Sequence, residues 1–424
     1  MNNYLTEDTK AIILLCGVFG KDRTEKPLSQ AEYTSLVNWL IRVKKRPADL
    51  LNKEIIASAS NGSRIDRNRL ESLLDRGVKL GFAVEEWQRN GIWIISRSDN
   101  DYPRRYKTHL KDKAPPLLFG AGDRSLLNGG GLAIVGSRNV DQDGNNFTRE
   151  VAEKCAAGKI PVVSGGARGV DQTAMGAALE AGGIAIGILA ENLLKKSVER
   201  TARYAISDGR LLLISSCHPG ARFTVGTAMS RNKLIYAMAD YGLVVSAEHK
   251  KGGTWAGAEE ELKRDISRPV FVRAGNKVPE GNVKLLDIGA VAWPDSIEEG
   301  NLVNQLSDLA GKKQDKNRQK SMSIFDYRVK YDGEAESVNK DIHTVAEQNA
   351  PEYGIQPIEN KPEFPVYDAV LPVILRSLEK PVTVDELSKS LDVNKTQLSY
   401  WLKKALDEKK IKKLAKPVRY QRQK

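Results

Sequence analysis

Cysteine and histidine are scarce in this chain, which has three cysteines and four histidines among its 424 residues. The cysteines are Cys16, Cys155 and Cys217, so no CxxC pair exists, and neither a disulfide framework nor a zinc site is indicated. Long apolar runs are missing too, and the polar, acidic start of the chain is unlike a signal peptide. We therefore expect a cytoplasmic protein with no membrane segment and no metal ion.

Two common nucleotide-binding motifs are also missing. No G-x-x-x-x-G-K-[ST] run occurs, so a P-loop nucleoside triphosphatase is not indicated. A dinucleotide-binding fold would carry G-x-G-x-x-G after its first strand, but residues 136–141 read GSRNVD, without the second glycine. The sequence therefore predicts no cofactor and no catalytic residue.

Positive charge is in excess. Lysine and arginine number 66 against 54 aspartates and glutamates, which gives a net charge of +12. A basic protein of this size often binds a polyanion, usually nucleic acid. A solvated basic surface would explain the same charge, so net charge alone favours neither interpretation.

The pattern of apolar residues divides the chain into four parts. Residues 1–90 carry apolar residues at helical spacing, which predicts a helical domain. Over residues 91–298 short apolar runs alternate with helical patterns, which predicts an α/β domain with a Rossmann-like parallel sheet. Residues 299–365 show little apolar periodicity and are interpreted as a flexible linker. Residues 366–424 contain three helical patterns and a hairpin, which is the outline of a winged helix.

Two glycine-containing loops carry most of the information about function. Residues 136–138 (GSR) follow the apolar run 132–135, and residues 164–169 (SGGARG) follow the apolar run 160–163. Loops that follow parallel strands meet at the carboxyl edge of a sheet. Glycines let backbone N–H groups approach an anion, and the N-terminus of the following helix adds a positive dipole end. Because each loop also contains an arginine, the pattern predicts a phosphate-binding site.

Three motifs, in order along the chain, resemble the DNA-processing protein A family, which is also called Smf. They are residues 133–138 (AIVGSR), 162–171 (VVSGGARGVD) and 230–235 (SRNKLI), and the resemblance covers residues 99–275. The resemblance implies a protein that binds single-stranded DNA and transfers it to a RecA-type recombinase, notably in natural transformation, without catalysis. It also implies a homodimer formed through the Rossmann-like domain.

The resemblance also assigns residues to a DNA pocket. Backbone amides and hydroxyls bind phosphate without reading sequence, and cations add a salt-dependent contribution. Phe223 is a candidate for stacking on a base, although a core position explains a phenylalanine equally well. Lys233 replaces the last arginine of the family's third motif, and both Arg138 and Lys233 are expected on loops. The candidate DNA-binding residues are Gly136, Ser137, Arg138, Ser164, Gly165, Gly166, Arg168, Phe223, Arg231, Asn232 and Lys233.

Three other functions stay open at this stage. Residues 252–259 (GGTWAGAE) are similar to the P-G-G-x-G-T-x-x-E run of cytokinin-activating phosphoribohydrolases, which would make Glu259 a catalytic carboxylate. The proline is missing, however, and a carboxylate in the first turn of a helix is favourable without catalysis. The same pocket would suit a nucleotide-sensing module of an anti-phage or stress system. A carboxyl-terminal winged helix would also suit a transcription factor or a protein docking module.

Overall fold

The structure is a computed structural model. It describes residues 5–19, 25–296, 301–311, 366–391, 395–414 and 418–423, but not the side chains of 366–370 and 396–397. These residues form a helical domain, an α/β domain around a nine-stranded sheet, and a carboxyl-terminal unit of three helices and a hairpin. The predicted fold class is therefore confirmed. Within the same residues no helix is both long and apolar enough to cross a membrane.

The amino-terminal domain is helical, as its apolar spacing predicts. Its described α-helices are α1 (Glu7–Cys16), α2 (Gln30–Arg42), α3 (Lys53–Ser63), α4 (Arg67–Leu74) and α5 (Gly77–Arg89). A capping box of Ser29 and Glu32 starts α2, because each side chain accepts a hydrogen bond from the other residue's backbone N–H. Asp66 caps α4 more simply, because its side chain accepts a hydrogen bond from the backbone N–H of Arg69. Leu36 and Leu70 are buried in one shared core.

The α/β domain is built on one twisted sheet. Its strands are β1 (Trp93–Ser96), β2 (Leu117–Ala121), β3 (Leu132–Gly136), β4 (Val162–Ser164), β5 (Ala185–Ile188), β6 (Leu211–Ser215), β7 (Tyr241–Ser246), β8 (Val270–Val272) and β9 (Val291–Ala292). Their order in space is β1-β2-β6-β5-β4-β3-β7-β8-β9. The strands β3 to β9 are parallel, which confirms the predicted parallel sheet.

One strand departs from the parallel arrangement that the alternating pattern predicts. The β2 strand is antiparallel to both β1 and β6. A parallel crossover needs a dozen or more residues and usually a helix. Residues 122–131, which connect β2 to β3, contain only a short 3-10 turn. An antiparallel strand at the margin of a parallel sheet is a common arrangement.

Helices cover both faces of the sheet. They are α6 (Arg104–Leu110), α7 (Gln142–Ala157), α8 (Val170–Glu180), α9 (Leu193–Val198), α10 (Arg200–Ser207), α11 (Val225–Met238), α12 (Gly252–Leu262), α13 (Glu280–Asp287) and α14 (residues 302–311). The helices α9 and α10 are separate, because Glu199 between them has a non-helical backbone with ψ of 138°.

The ordered α/β domain extends to residue 311 rather than ending at 298. Leu302, Leu306 and Ala310 of α14 are buried in the same core as Trp293. Leu302, Leu306 and Ala310 recur at helical spacing, but the mostly polar composition of residues 299–365 as a whole favoured the linker interpretation. The rest of the predicted linker, residues 312–365, lies outside the described part of the chain.

The strand order places a crevice at the centre of the sheet. From β3 the chain builds β4, β5 and β6 on one side, and then returns to place β7, β8 and β9 on the other side of β3. The loops after β3 and β7 therefore leave the sheet in opposite directions. In open α/β sheets ligands bind in this crevice, outside the carboxyl ends of the strands.

The carboxyl-terminal unit has the three helices and hairpin that the sequence predicts. They are α15 (Val366–Ser377), α16 (Val384–Ser390), α17 (Lys395–Asp407), β10 (Ile411–Leu414) and β11 (Arg419–Arg422). A capping box of Thr383 and Glu386 starts α16. Trp401 and Leu402 on α17 are buried in the unit's own core.

This unit also contacts the amino-terminal domain, where the sequence predicts few contacts between the tail and the rest of the chain. The Phe82 ring of α5 lies 4.3 Å from the Trp401 ring, measured between centroids. The Arg89 guanidinium lies 5.4 Å from the centre of the Tyr400 ring. Aromatic pairs of this kind add to the stability of an interface beyond their buried area.

We expect Phe82→Asp to detach the carboxyl-terminal unit from α5. The substitution places a charge against Trp401, so amide hydrogen exchange in α15 and α17 should become faster while exchange in the central strands stays the same. Ile41→Asp in α2 is the matched control, since Ile41 is 67% exposed and should tolerate the same change. Unchanged exchange in α15 and α17 of the Phe82 variant would show that this contact does not hold the unit in place.

Candidate functional site

A cavity of about 410 Å³ lies at the switch point of the sheet. Its walls come from the end of β3 and the loop after it, the first turn of α8, the face of α11 and the loop between β7 and α12. A volume of this size is typical of a site for one small organic ligand. The candidate residues that line it are Gly136, Ser137, Arg138, Phe223, Arg231 and Asn232.

The other candidate residues lie near the cavity but do not line it. Ser164 is fully buried, and its hydroxyl donates a hydrogen bond of 2.6 Å to the carbonyl of Ile134, so it ties β4 to β3. Gly166 has a φ of +67°, which lets the loop after β4 turn at low cost. Lys233 is half-buried in the middle of α11, not on a loop as expected.

Gly165 acts by leaving space for Arg231. A Cβ atom added at Gly165 would lie 1.1 Å from Nη1 of Arg231 and 2.6 Å from Oδ2 of Asp171. The Arg231 guanidinium therefore passes directly over the glycine backbone to reach Asp171, with 3.5 Å between Nη1 and Oδ2. Two motifs that are far apart in the sequence thus form one contact at the floor of the cavity.

Asp171, the last residue of the second motif, is a further functional candidate because it lines the cavity. Its carboxylate also accepts a hydrogen bond from the N–H of Ala167, 3.3 Å away, and so closes the glycine loop. Burial raises the pKa of this carboxyl, and the Arg231 guanidinium opposes that shift. Asp171 and Arg231 therefore neutralise each other's buried charge. Loss of either residue would leave the charge of the other one buried and unpaired.

A second set of contacts joins α11 to the start of α12. The side-chain amide of Asn232 donates to the carbonyl of Gly253 at 2.8 Å, and the Thr254 hydroxyl donates to the carbonyl of Gly136 at 3.1 Å. Lys251 occupies the cap position of α12, and its side chain makes no capping hydrogen bond. The first residues of α12, Gly252 to Thr254, line the cavity, and Lys251 provides no side-chain cap for their N–H groups.

Arg138 and Phe223 stand together at the mouth of the cavity. The Arg138 guanidinium lies 4.9 Å from the centre of the Phe223 ring, and Phe223 is 40% exposed. This exposure of Phe223 favours a ring that is available for stacking over a core position. Arg168 is exposed outside the cavity and donates to Oδ1 of Asn139 at 2.8 Å, so it joins the two glycine loops.

Exposed cations follow six neighbouring strands at this edge of the sheet. We call this set the cation row. Strands in a sheet lie about 4.8 Å apart, so six strands extend over roughly 24 Å. In the spatial order β6, β5, β4, β3, β7 and β8, the row consists of Arg222, Lys195, Arg168, Arg138, Lys250 and Lys277.

Glu259 does not line the cavity. Its carboxylate accepts hydrogen bonds from Lys263 at 2.8 Å and from the indole of Trp255 at 3.1 Å. The hydrogen bond from Lys263 lowers the pKa of Glu259. The residue that the phosphoribohydrolase resemblance would make catalytic is therefore engaged in contacts within its own helix. Among the described residues no cluster of acidic, histidine or cysteine side chains could hold a metal ion.

Three further residues of the cavity wall lie outside the sequence motifs. Val225 and Met229 on α11 are exposed at the mouth, and Tyr236 is buried deeper in the wall. Val225 and Met229 are apolar, but nothing in the sequence shows that they are exposed on the first turns of a helix. Sequence reasoning missed them because they interrupt no motif.

Comparison with known proteins finds a family model that matches the α/β domain. Residues 93–300 match the family model described as DNA recombination-mediator protein A. The chain is 29% identical over 231 residues to the DNA processing protein DprA of Bacillus subtilis, covering 50% of this chain and 72% of that protein. It is 30% identical over 252 residues to a putative DNA processing protein DprA of Mycobacterium tuberculosis, covering 54% of this chain and 62% of that protein.

The fold also resembles a solved structure. The X-ray structure of DNA processing protein A from Streptococcus pneumoniae aligns with a TM-score of 0.54 and 20% sequence identity. The alignment covers 70% of this chain and 96% of that chain. At this identity the likeness supports the fold alone.

Proposed function

Because residues 93–300 place this chain in the DNA recombination-mediator protein A family, we propose that it binds single-stranded DNA along the carboxyl edge of its parallel sheet. The observation that carries the proposal is the cavity at the switch point with the cation row on both sides of it. We propose further that the bound strand is transferred to a RecA-type recombinase and that two copies of the chain associate through the α/β domain. The proposal includes no catalytic step.

The cation row suits the backbone of a nucleic acid. Cations that bind phosphates release counterions, and this contribution is independent of sequence. The uncapped N–H groups at the start of α12 add donors at the centre of the row. The six residues are exposed and lie in the connections that follow neighbouring strands, so a single strand that crosses the β-strands at this edge would pass them in turn.

The cavity favours a single strand over a duplex. A base can enter a cavity of about 410 Å³ only after it has left its stack and its pairing partner. Unpairing and unstacking cost a few kcal/mol in a duplex and much less in a single strand. Phe223 at the mouth offers a ring on which a neighbouring base can stack.

The proposal is tested by the binding of labelled single-stranded DNA, duplex DNA and free nucleotides, measured side by side by fluorescence anisotropy. We expect the single strand to bind more tightly than the duplex, and its affinity to fall steeply as salt is raised. Equal affinity for duplex, or binding that does not respond to salt, would contradict the proposal. Tight binding of a free nucleotide with weak binding of DNA would instead support a nucleotide-sensing module.

A further inference from the structure

The carboxyl-terminal unit has an exposed basic surface that the proposed function does not use. Residues 366–424 contain 14 lysines and arginines against 7 aspartates and glutamates. The apolar face of α17 is buried in the unit's own core, whereas Tyr400 and Lys403 are exposed on its other face. Lys412 on β10 and Arg419 on β11 are exposed as well. Exposed cations thus lie on both the helix and the hairpin, a pattern typical of nucleic-acid binding.

The helices α16 and α17 have the spacing of a helix-turn-helix pair, because only residues 391–394 separate them. In such a pair the second helix lies in the major groove of duplex DNA. A helix with its side chains is about 10–12 Å wide and the groove is about 12 Å wide, so the exposed face of α17 can enter it. Lys412 and Arg419 on the hairpin would then contact phosphates beside the groove. The surface therefore fits duplex DNA better than a single strand, which has no groove.

The helix α5 connects this unit to the cation row. On one side of α5, the Arg89 guanidinium lies 5.4 Å from the centre of the Tyr400 ring. On the other side, the Trp87 ring lies 5.6 Å from the His218 ring, measured between centroids. His218 follows β6 and comes four residues before Arg222, the β6 member of the row. One helix therefore lies between Tyr400 and that end of the row.

The direction of α5 shows which way the exposed face of α17 lies. Arg89 comes seven residues after Phe82, so it lies about 10 Å farther along the helix, at the end that meets the loop after β6. Phe82 contacts Trp401, which is buried, whereas Arg89 contacts Tyr400, which is 57% exposed. Tyr400 and the exposed face of α17 therefore lie toward the carboxyl edge of the sheet, where the row lies.

We propose that the preferred ligand of the protein is a junction between single-stranded and duplex DNA, with the single strand on the cation row and the adjoining duplex on α17 and the hairpin. This inference rests on the proposed function, which supplies the single strand. Docking on α5 fixes the carboxyl-terminal unit at the β6 end of the row, so the duplex is bound where the single strand leaves the row. Two sites that engage one DNA molecule at once bind it more tightly than either site alone.

The experiment measures four ligands by fluorescence anisotropy with the full chain: a duplex with a single-stranded tail, the tail alone, the blunt duplex, and an equimolar mixture of separate tail and duplex. Tails at the 5′ and 3′ ends are measured separately, and the larger gain is used. Non-specific binding of a duplex has a Kd of about 10⁻⁴ M, and a linked site acts at roughly 10⁻³ M. The tailed duplex should therefore bind about tenfold more tightly than the tail alone, and the mixture should show no gain.

Three variants locate the effect, and each gain is measured against the variant's own affinity for the tail. The double variant Lys403→Ala/Lys412→Ala should lose most of the gain, because it removes cations from both parts of the duplex surface. Arg376→Ala is the matched control, since it removes an exposed arginine from α15, outside that surface. Phe82→Asp should also lower the gain, because the released unit is no longer fixed at the end of the row.

The outcomes separate the two proposals. A tailed duplex that binds no more tightly than its tail, while the tail itself binds in a salt-dependent way, would overturn the junction and leave the proposed function standing. A gain that is unchanged in the Lys403→Ala/Lys412→Ala variant would place the duplex elsewhere on the protein, and a gain that is unchanged in Phe82→Asp would show that docking on α5 does not position it. Either result would overturn the inference. No binding to any DNA would overturn the proposed function and this inference together.

Discussion

Gly165→Ala is expected to destabilise the α/β domain strongly and to abolish DNA binding. The added methyl group would lie 1.1 Å from Nη1 of Arg231, so the guanidinium would have to leave Asp171. Breaking a buried ion pair costs about 3 kcal/mol or more, because one buried charge is left without its partner. For a domain of this size that corresponds to a fall in Tm of roughly 6–12 °C, measured by calorimetry.

Gly176→Ala is the matched control for this substitution. Gly176 lies in α8, close to Gly165 in the sequence, and a Cβ atom added there would meet no other atom within 4 Å. Alanine in a helix interior should raise the stability by about 0.5–1 kcal/mol. If the clash with Arg231 is the cause, Gly165→Ala should cost much less in an Arg231→Ala background. Equal costs in both backgrounds would disprove this role of Gly165.

Arg138→Ala is expected to weaken single-strand binding without unfolding the chain. Arg138 is exposed at the centre of the cation row, and it lies against the ring of Phe223. Loss of one phosphate contact should lower the slope of log affinity against log salt by about 0.7 for a single strand. Circular dichroism melts should be nearly unchanged, since exposed substitutions rarely affect stability much.

Two further variants serve as comparisons for Arg138→Ala. Lys233→Ala should weaken binding less than Arg138→Ala, because Lys233 is half-buried on α11 and does not line the cavity. Arg42→Ala, which removes an exposed arginine from α2 in the amino-terminal domain, should leave both affinity and slope unchanged. An Arg138 variant with the parent's salt slope would show that this arginine contacts no phosphate.

The parallel strands β3 to β8 were predictable because they are almost entirely buried, whereas β9 is partly exposed and was not predicted. Buried parallel strands form uninterrupted apolar runs between polar turns, so the apolar run at residues 132–135 matches β3 closely. The glycine loops follow these strands directly, which made their position at one edge of the sheet predictable as well.

The antiparallel β2 strand and the helix α14 were not predictable in the same way. The direction of β2 depends on its pairing with β6, more than 90 residues later, and apolar composition does not encode direction. The helix α14 is stabilised by contact with the core around Trp293 more than by its own sequence. Both features depend on distant partners.

The sequence by itself determined the fold class, the family resemblance and the edge of the sheet where the candidate site lies, because these follow from local apolar runs and from short motifs whose order survives in the chain. Only the tertiary structure decided which motif residues reach the cavity. Ser164 turns inward to β3, Gly165 acts through the space that it leaves for Arg231, and Arg168 joins two loops outside the cavity. The physical reason is that these roles depend on contacts between residues 29 to 66 positions apart, and close packing decides such contacts only once the sheet has formed.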